Sequence, residues 1–166
     1  TRKESSAASD VYKRQAKYSA CLKGELLCPG DKSISQRVLI IGSFLNQEIL
    51  ISNILASSDP ICTANALNQV NANLTFNKLS NTVKTVKRKM PFQDPTESLD
   101  LGNSGTGARL LTGFLSGLGI NATITGDKSL SSRPMKRIVE PLTKMGFKLN
   151  SNNCLLYTSD AADDSL

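Results

Sequence analysis

The chain repeats itself, and this internal repeat constrains its fold more than any other feature. A glycine seven residues before an arginine occurs at Gly30 and returns 72 residues later, at Gly102. A Ser-Ser-X-Pro sequence at residues 57–60 returns at residues 131–134, an offset of 74. Two paired matches at nearly one offset predict about two copies of a strand–helix–strand–helix–strand unit, which is an α/β (α+β) fold.

Within each copy, turn signals alternate with short apolar periods. In the first copy, four apolar side chains at spacings of 4, 3 and 4 lie on one face of a predicted helix over residues 33–45. Asp31 or Ser33 can cap that helix, and Asp59 and Pro60 are predicted as N-cap and first residue of the next one. The full prediction comprises an extended segment at 16–27, helices over 33–45, 60–70, 108–118 and 134–145, and strands over 48–54, 74–76, 99–101, 121–125 and 147–149.

Composition excludes several classes of chemistry. The 166 residues contain no histidine, which excludes Ser-His-Asp and Cys-His nucleophile systems and histidine-ligated metal sites. A net charge of +6, from 20 basic and 14 acidic residues, favours an anionic partner without choosing among nucleic acid, a membrane surface and a small molecule. No apolar run reaches the roughly 18 residues that span a membrane, so we expect a soluble, cytoplasmic protein. The four cysteines are Cys21, Cys28, Cys62 and Cys154. Because no two of them form a CxxC pair, we expect reduced thiols.

The two ends differ from the rest of the chain. Residues 1–15 and 154–166 carry no amphipathic period and no turn chemistry that would join them to the repeat. Both resemble translated adapter or assembly remnants, so we expect a non-native leader and a non-native tail. Genuine frayed tails are the alternative, and they would leave the interpretation of residues 16–153 unchanged.

Two helix starts have the composition of anion-binding turns. Free N–H groups and the positive end of the helix dipole favour anions at such places. In the first turn, Lys32, Ser33 and Arg37 supply an ammonium, a hydroxyl and a guanidinium, and the last two lie four residues apart on one helix face. A capped helix with surface cations would look much the same, so this turn alone is a weak signal.

The second turn lies at the corresponding place of the repeat. Its glycines allow a ligand to approach the backbone closely, and Asn103 and Thr106 are available as polar contacts. Arg133, just before a helix-starting proline, can project toward the same surface. Neither turn is a Walker A loop or a GxGxxG fingerprint. Together they predict one shared anion-binding face.

Three linked motifs resemble the 3-phosphoshikimate 1-carboxyvinyltransferases, the EPSP synthase family. They are PGDKSISQR at residues 29–37, GNSGTGARL at 102–110 and GDKSLSSRPM at 126–135. The resemblance covers about residues 17–150, and the three motifs have the same order and the same separations along the chain as in the family. It implies the enolpyruvyltransferase fold, whose two domains each contain three βαβαββ-type units.

The resemblance also implies a domain organisation. Family members are much longer, so residues 29–153 are expected to be two units of a partial N-terminal domain. Residues 16–28 are expected to form a strand that pairs with an absent C-terminal domain. The full-length protein is expected to be a monomer.

What the resemblance implies for chemistry is transfer of the enolpyruvyl group of phosphoenolpyruvate to the 5-hydroxyl of shikimate 3-phosphate, without metal or organic cofactor. Lys32, Ser33 and Arg37 would bind shikimate 3-phosphate, and Arg109 would be a structural support. The phosphoenolpyruvate-binding residues would be Lys32, Asn103, Gly105, Thr106 and Arg133. Both substrates are multiply charged anions, for which arginine and lysine near helix N-termini are suitable partners. Neither nucleic acid nor membrane is an expected partner.

Two alternatives stay open. The related UDP-N-acetylglucosamine enolpyruvyltransferases share the fold, but there asparagine follows the first lysine, where this chain has Ser33. A basic RNA-binding module on the same repeat would use the cations at residues 84–89, although no aromatic residue lies among them for bases to stack on. Because half of the expected site lies in the missing domain, we expect the 166-residue chain to be catalytically inactive.

Overall fold

The computed structural model of the chain describes residues 21, 23–152 and 155–159. Its elements form two successive groups that follow the predicted repeat, so the predicted α/β class is confirmed. The first group is α1 (Lys32–Phe44), β1 (Ile49–Ile51), α2 (Ser58–Gln69), β2 (Leu74–Asn77) and β3 (Thr82–Thr85). The second is β4 (Leu99–Asp100), α3 (Gly105–Gly117), β5 (Ala122–Thr125), α4 (Lys128–Ser131), α5 (Lys136–Lys144), β6 (Lys148–Asn152) and β7 (Leu155–Ser159).

The two sheets have the same internal arrangement. The first has the order β1-β3-β2 and is antiparallel, and the second has the order β4-β5-β7-β6. In the second sheet β4 runs parallel to β5, and the remaining pairs are antiparallel. Strands β5, β7 and β6 therefore correspond to β1, β3 and β2. The sequence repeat is thus a βαβαββ structural repeat, whose leading strand is present in the second unit alone among the described residues.

Helix packing joins the two units into one core. Helices α1, α2 and α3 contact one another, and α3 also contacts α5. The core draws on both units, with Leu39, Leu67, Leu111 and Leu115 fully buried. Burying one such side chain contributes about 1.5–3 kcal/mol. This packing sets the N-terminal ends of α1 and α3 at fixed positions relative to each other.

The helix starts differ from the prediction in detail. Asp31 caps α1, as one of the two predicted options, and accepts from the N–H of Ile34 at 2.7 Å. The prediction for α2 is wrong by two residues, because Ser57 occupies the cap and Asp59 lies in the first turn. Pro60 is compatible with that turn, since the first N–H groups of a helix have no partner within it. Helix α3 begins three residues before the predicted start because Ser104 caps it.

The predicted apolar face of α1 exists, but it is not the face that packs inward. Ile34 and Ile41 are 54% and 57% exposed. The buried face consists of Leu39 and four small or polar residues, namely Ser35, Gln36, Gly42 and Ser43. Small side chains let α1 approach its neighbours closely, and polar ones supply hydrogen bonds there.

The ends of the described chain concern two expectations about the domain organisation. Residues 23–31 contain no strand, and Leu26 and Leu27 are almost fully exposed. The pairing of residues 16–28 with another domain stays a prediction, and residues 1–20 lie outside the described residues. Residues 155–159, which we set apart with the tail, form β7 between β5 and β6. The β-forming sequence LLYTS supplies the strand that both neighbours pair with, so the folded region extends past residue 153.

Candidate anion-binding site

The first turn of the site is held by close backbone packing. The Asp31 cap gives α1 a defined start, directly before Lys32 and Ser33. A side chain at Gly30 would overlap the backbone carbonyl of Asn53, so only glycine allows this approach. Lys32 and Ser33 therefore lie in the first turn of a helix whose N-terminus is fixed by the cap and by this close packing.

Lys32 has a partner that sequence reasoning did not find. Its Nζ lies 3.0 Å from Oδ2 of Asp59 in the first turn of α2. The Asp59 side chain is only 16% exposed, whereas that of Lys32 is half exposed. A mostly buried carboxylate thus orients an accessible ammonium. The Ser-Ser-X-Pro match could have indicated this partner, because Asp59 occupies the position in the first unit that Arg133 occupies in the second.

The second turn belongs to α3. Oγ of Ser104 accepts from the N–H of Gly107 at 3.1 Å and caps the helix. Gly102 has a φ of +52°, a conformation that favours glycine, and its carbonyl accepts from the N–H of Asp127 at 2.8 Å. Gly105 is the first helical residue, so the predicted phosphoenolpyruvate contact lies in the helix and not in a preceding loop.

Arg133 lies against this second turn. Its guanidinium donates to Oδ1 of Asn103 and, at 3.3 Å, to Oγ of Ser129. A Cβ added to Gly105 would lie 2.7 Å from Nη1 of Arg133. The missing side chain of Gly105 is therefore the space that lets the guanidinium reach the N-terminus of α3. Asn103, Gly105 and Arg133 are brought together as a group.

Asp127 supports that group from the other side. Its Oδ2 accepts from Nδ2 of Asn103 at 2.9 Å, and its Oδ1 accepts from the N–H of Leu130 at 2.7 Å. The hydrogen bond from Leu130 is the main cause that lowers the pKa of Asp127, and the Asn103 amide and the charge of Arg133 act in the same direction. An ionised Asp127 fixes the amide of Asn103 so that its oxygen faces Arg133.

The remaining predicted residues fall into two kinds. Arg109 donates to the carbonyl of Gly105 at 2.9 Å and to that of Pro134 at 3.0 Å, so it ties α3 to the segment before α5. Ser33, Arg37 and Thr106 make no side-chain hydrogen bond or ion pair within the described ranges. Their donors are available to a ligand.

Gln36 connects the two turns and was not predicted. Its Nε2 donates to Oγ of Ser104 at 2.6 Å and to Oγ1 of Thr63 at 3.1 Å. All three side chains are buried. No hydrogen bond or ion pair joins Lys32 directly to Arg133 among the residues that the structure describes. The turns are linked through this amide instead.

The thiol of Cys62 also lies near the site, close to Asp59 and Asp100. Burial raises the pKa of the Cys62 thiol, and the charges of Asp100 and Asp59 raise it further. Within the described part of the chain, no group of three histidine, cysteine, aspartate or glutamate side chains could hold a metal ion. No helix there is both long and apolar enough to cross a membrane.

A family model and several curated relatives match the chain. The family model for EPSP synthase (3-phosphoshikimate 1-carboxyvinyltransferase) matches residues 17–159. A 3-phosphoshikimate 1-carboxyvinyltransferase of Petrotoga mobilis is 44% identical over 125 residues, which are 75% of this chain and 29% of that protein. The enzymes of that name from Coxiella burnetii and Bacillus licheniformis are each 41% identical, over 78% and 82% of this chain and 30% and 32% of their own lengths.

A solved structure agrees with the sequence matches. The EPSP synthase from Acinetobacter baumannii superposes with a TM-score of 0.74 at 30% identity. That superposition covers 82% of this chain and 32% of the solved one. The chain thus spans about a third of the length of the relatives it matches.

Proposed function

Because the chain belongs to the EPSP synthase family, we propose that it forms the part of a 3-phosphoshikimate 1-carboxyvinyltransferase that holds both anionic substrates. The observation that carries this proposal is the hydrogen bond from Gln36 to Ser104, which fixes two helix N-termini beside one another. Each terminus brings its own cations, Lys32 and Arg37 on α1 and Arg133 beside α3.

The proposed reaction proceeds by addition and elimination. The 5-hydroxyl oxygen of shikimate 3-phosphate loses its proton and bonds to C2 of phosphoenolpyruvate, while C3 takes up a proton. Inorganic phosphate then leaves C2 of the tetrahedral adduct, and C3 loses a proton to restore the vinyl group. Positioning two anions and balancing their charge are the tasks that this part of the enzyme can perform.

The described residues suit those tasks. We assign the shikimate 3-phosphate contacts to Ser33 and Arg37, whose side-chain donors have no partner within the described ranges. Lys32, oriented by Asp59, would contact both substrates. The phosphoenolpyruvate contacts are assigned to the backbone and side chains around α3, namely Asn103, Gly105, Thr106 and Arg133.

The acid and base steps are assigned to the two thirds of the enzyme that this chain does not span. We therefore expect the purified 166-residue chain to bind substrate but to release no phosphate from phosphoenolpyruvate and shikimate 3-phosphate. Detectable phosphate release would contradict this part of the proposal. The proposed protein is cytoplasmic and monomeric when complete, and it requires no cofactor.

A direct test measures protection of the chain against heat. Shikimate 3-phosphate should raise the Tm by an amount that grows with the logarithm of its concentration relative to its Kd, because it is expected to bind the folded state alone. Arg37→Ala should abolish this increase, and the matched control Arg137→Ala, which removes another exposed arginine from a helix, should retain it. Protection by RNA or by UDP-N-acetylglucosamine, but not by shikimate 3-phosphate, would overturn the proposal in favour of one of the two alternatives.

A further inference from the structure

We propose that Gln36 and Gly107 form a size-matched pair that positions the two anion-binding turns relative to each other. Gln36 contacts no proposed substrate-binding group itself, so it is a positioning residue. This proposal rests on the function proposed above, because the two turns bind substrate only if that function is correct. Its geometry, however, can be tested in the free protein.

The orientation of the Gln36 amide is set by its surroundings. Oγ1 of Thr63 donates to the carbonyl of Asp59 at 3.0 Å, so its hydrogen is already used and it accepts from Gln36. Oγ of Ser104 accepts from the N–H of Gly107 and from Gln36. Both partners therefore present lone pairs, and only the NH₂ end of a glutamine serves both.

Gly107 supplies the space for this amide. A Cβ at residue 107 would lie 2.6 Å from Oγ of Ser104, 2.8 Å from Oγ1 of Thr63 and 3.0 Å from Nε2 of Gln36. All three distances are below ordinary contact distances for a carbon atom. Gly107 has no positive φ, so its backbone could accommodate alanine. Space for the Gln36 network is what the position requires.

The network reaches each group of the proposed site. Gln36 immediately precedes Arg37 and lies one turn after Lys32 and Ser33 on α1. Thr63 is bonded to the carbonyl of Asp59, whose carboxylate orients Lys32. Ser104 lies between Asn103 and Gly105. A displacement of the amide would therefore move all three helix N-termini against one another.

The experiment compares three variants of the 166-residue chain: Gly107→Ala, Gln36→Asn and the double variant. Either single change should lower the Tm by about 5 °C, through overpacking in the first case and a void with a lost hydrogen bond in the second. In the double variant the shorter amide withdraws from residue 107 and no longer holds Oγ of Ser104 and Oγ1 of Thr63 beside it, so both hydroxyls can give way to the new Cβ. We therefore expect the Tm loss of the double variant to be smaller than the sum of the two single losses by about 3 °C or more. Gly113→Ala is the matched control on α3, because a Cβ there meets nothing within 4 Å.

The positioning role has its own readout. Backbone amide shifts of Ser33, Asn103 and Gly105, measured by NMR at 25 °C, should move in both single variants and should move less in the double variant than the sum of the two single changes. Additive losses of Tm in the double variant would overturn the size match. If the Tm falls but the amide shifts of Ser33, Asn103 and Gly105 do not move, the pair contributes only to stability. That result would overturn the proposed positioning of the two turns. Failure of shikimate 3-phosphate to bind the parent chain would instead reject the proposed function, since neither readout requires the ligand.

Discussion

Asp59 and Arg133 occupy the same place in the two units and carry opposite charges. Each stands third in a Ser-Ser-X-Pro sequence. Asp59 accepts from Lys32 at 3.0 Å, whereas Arg133 donates to Asn103 beside the N-terminus of α3. One unit thus carries its cation on the helix itself, and the other supplies it from the segment that follows. Two different ways of presenting positive charge arise from one repeated backbone.

Replacement of Lys32 tests the first of these cations. In an enzyme completed with the remaining two thirds of the Bacillus licheniformis relative, Lys32→Ala should lower kcat/KM by about 10²–10³-fold, because the proposed charge-assisted contact to both substrates would be lost. Lys84→Ala is the control, since Lys84 is equally exposed and also ion-paired, 2.6 Å from Glu48. Unchanged kcat/KM at the parent Tm would identify Lys32 as an ordinary surface lysine.

Gly105 tests the space beside Arg133. In the same completed enzyme, Gly105→Ala should displace the guanidinium, since the new Cβ would lie 2.7 Å from Nη1. We expect kcat/KM for phosphoenolpyruvate to fall on the order of 10- to 10²-fold. The Tm should stay within about 2 °C of the parent, because Gly105 has no positive φ and the far end of an arginine can move. A large loss of Tm without loss of kcat/KM would contradict this.

The pKa of Asp127 predicts a pH dependence of stability. A carboxyl whose pKa is lowered by folding stabilises the protein above its ordinary pKa of 3.8, and that contribution is lost as pH falls through the lower folded value. Asp127→Asn should therefore flatten the decline in the free energy of unfolding below pH 4, measured by urea titration. Glu97→Gln, which removes another exposed carboxylate, serves as control. An equal decline in the Asp127 variant and the parent would refute the assignment.

The thiol of Cys62 reports on the acidic groups around it. Asp100→Asn keeps an oxygen that can accept from the N–H of Gly102 but removes a charge that raises the Cys62 pKa. The thiolate fraction should rise, and alkylation of Cys62 by iodoacetamide at pH 8 should become faster. Peptide mapping by mass spectrometry measures the rate, with the exposed Cys28 as internal reference. A rate that stays constant relative to Cys28 would exclude this electrostatic effect.

Local patterns in the sequence predicted most of the elements and the groups at the two turns, but they missed α4 and β7. The glycine–arginine and Ser-Ser-X-Pro matches predicted the repeat, and turn chemistry placed the helix starts within three residues. The predicted groups Asn103, Gly105 and Arg133 do meet in the structure. The helix starts and turns depend on residues close in the chain, whose spacing governs capping and which side chains share a helical face.

What the sequence by itself determined was therefore the repeated unit and the cations at its two turns. Only the tertiary structure decided which face of α1 is buried, that Asp59 orients Lys32, and that Gln36 bonds Ser104 across 68 residues of chain. The reason is physical. An amphipathic period shows that a helix has two faces, but which face is buried depends on the helices that pack against it. The lone pairs that orient the buried amide also belong to other helices, so both features become visible only when the helices pack together.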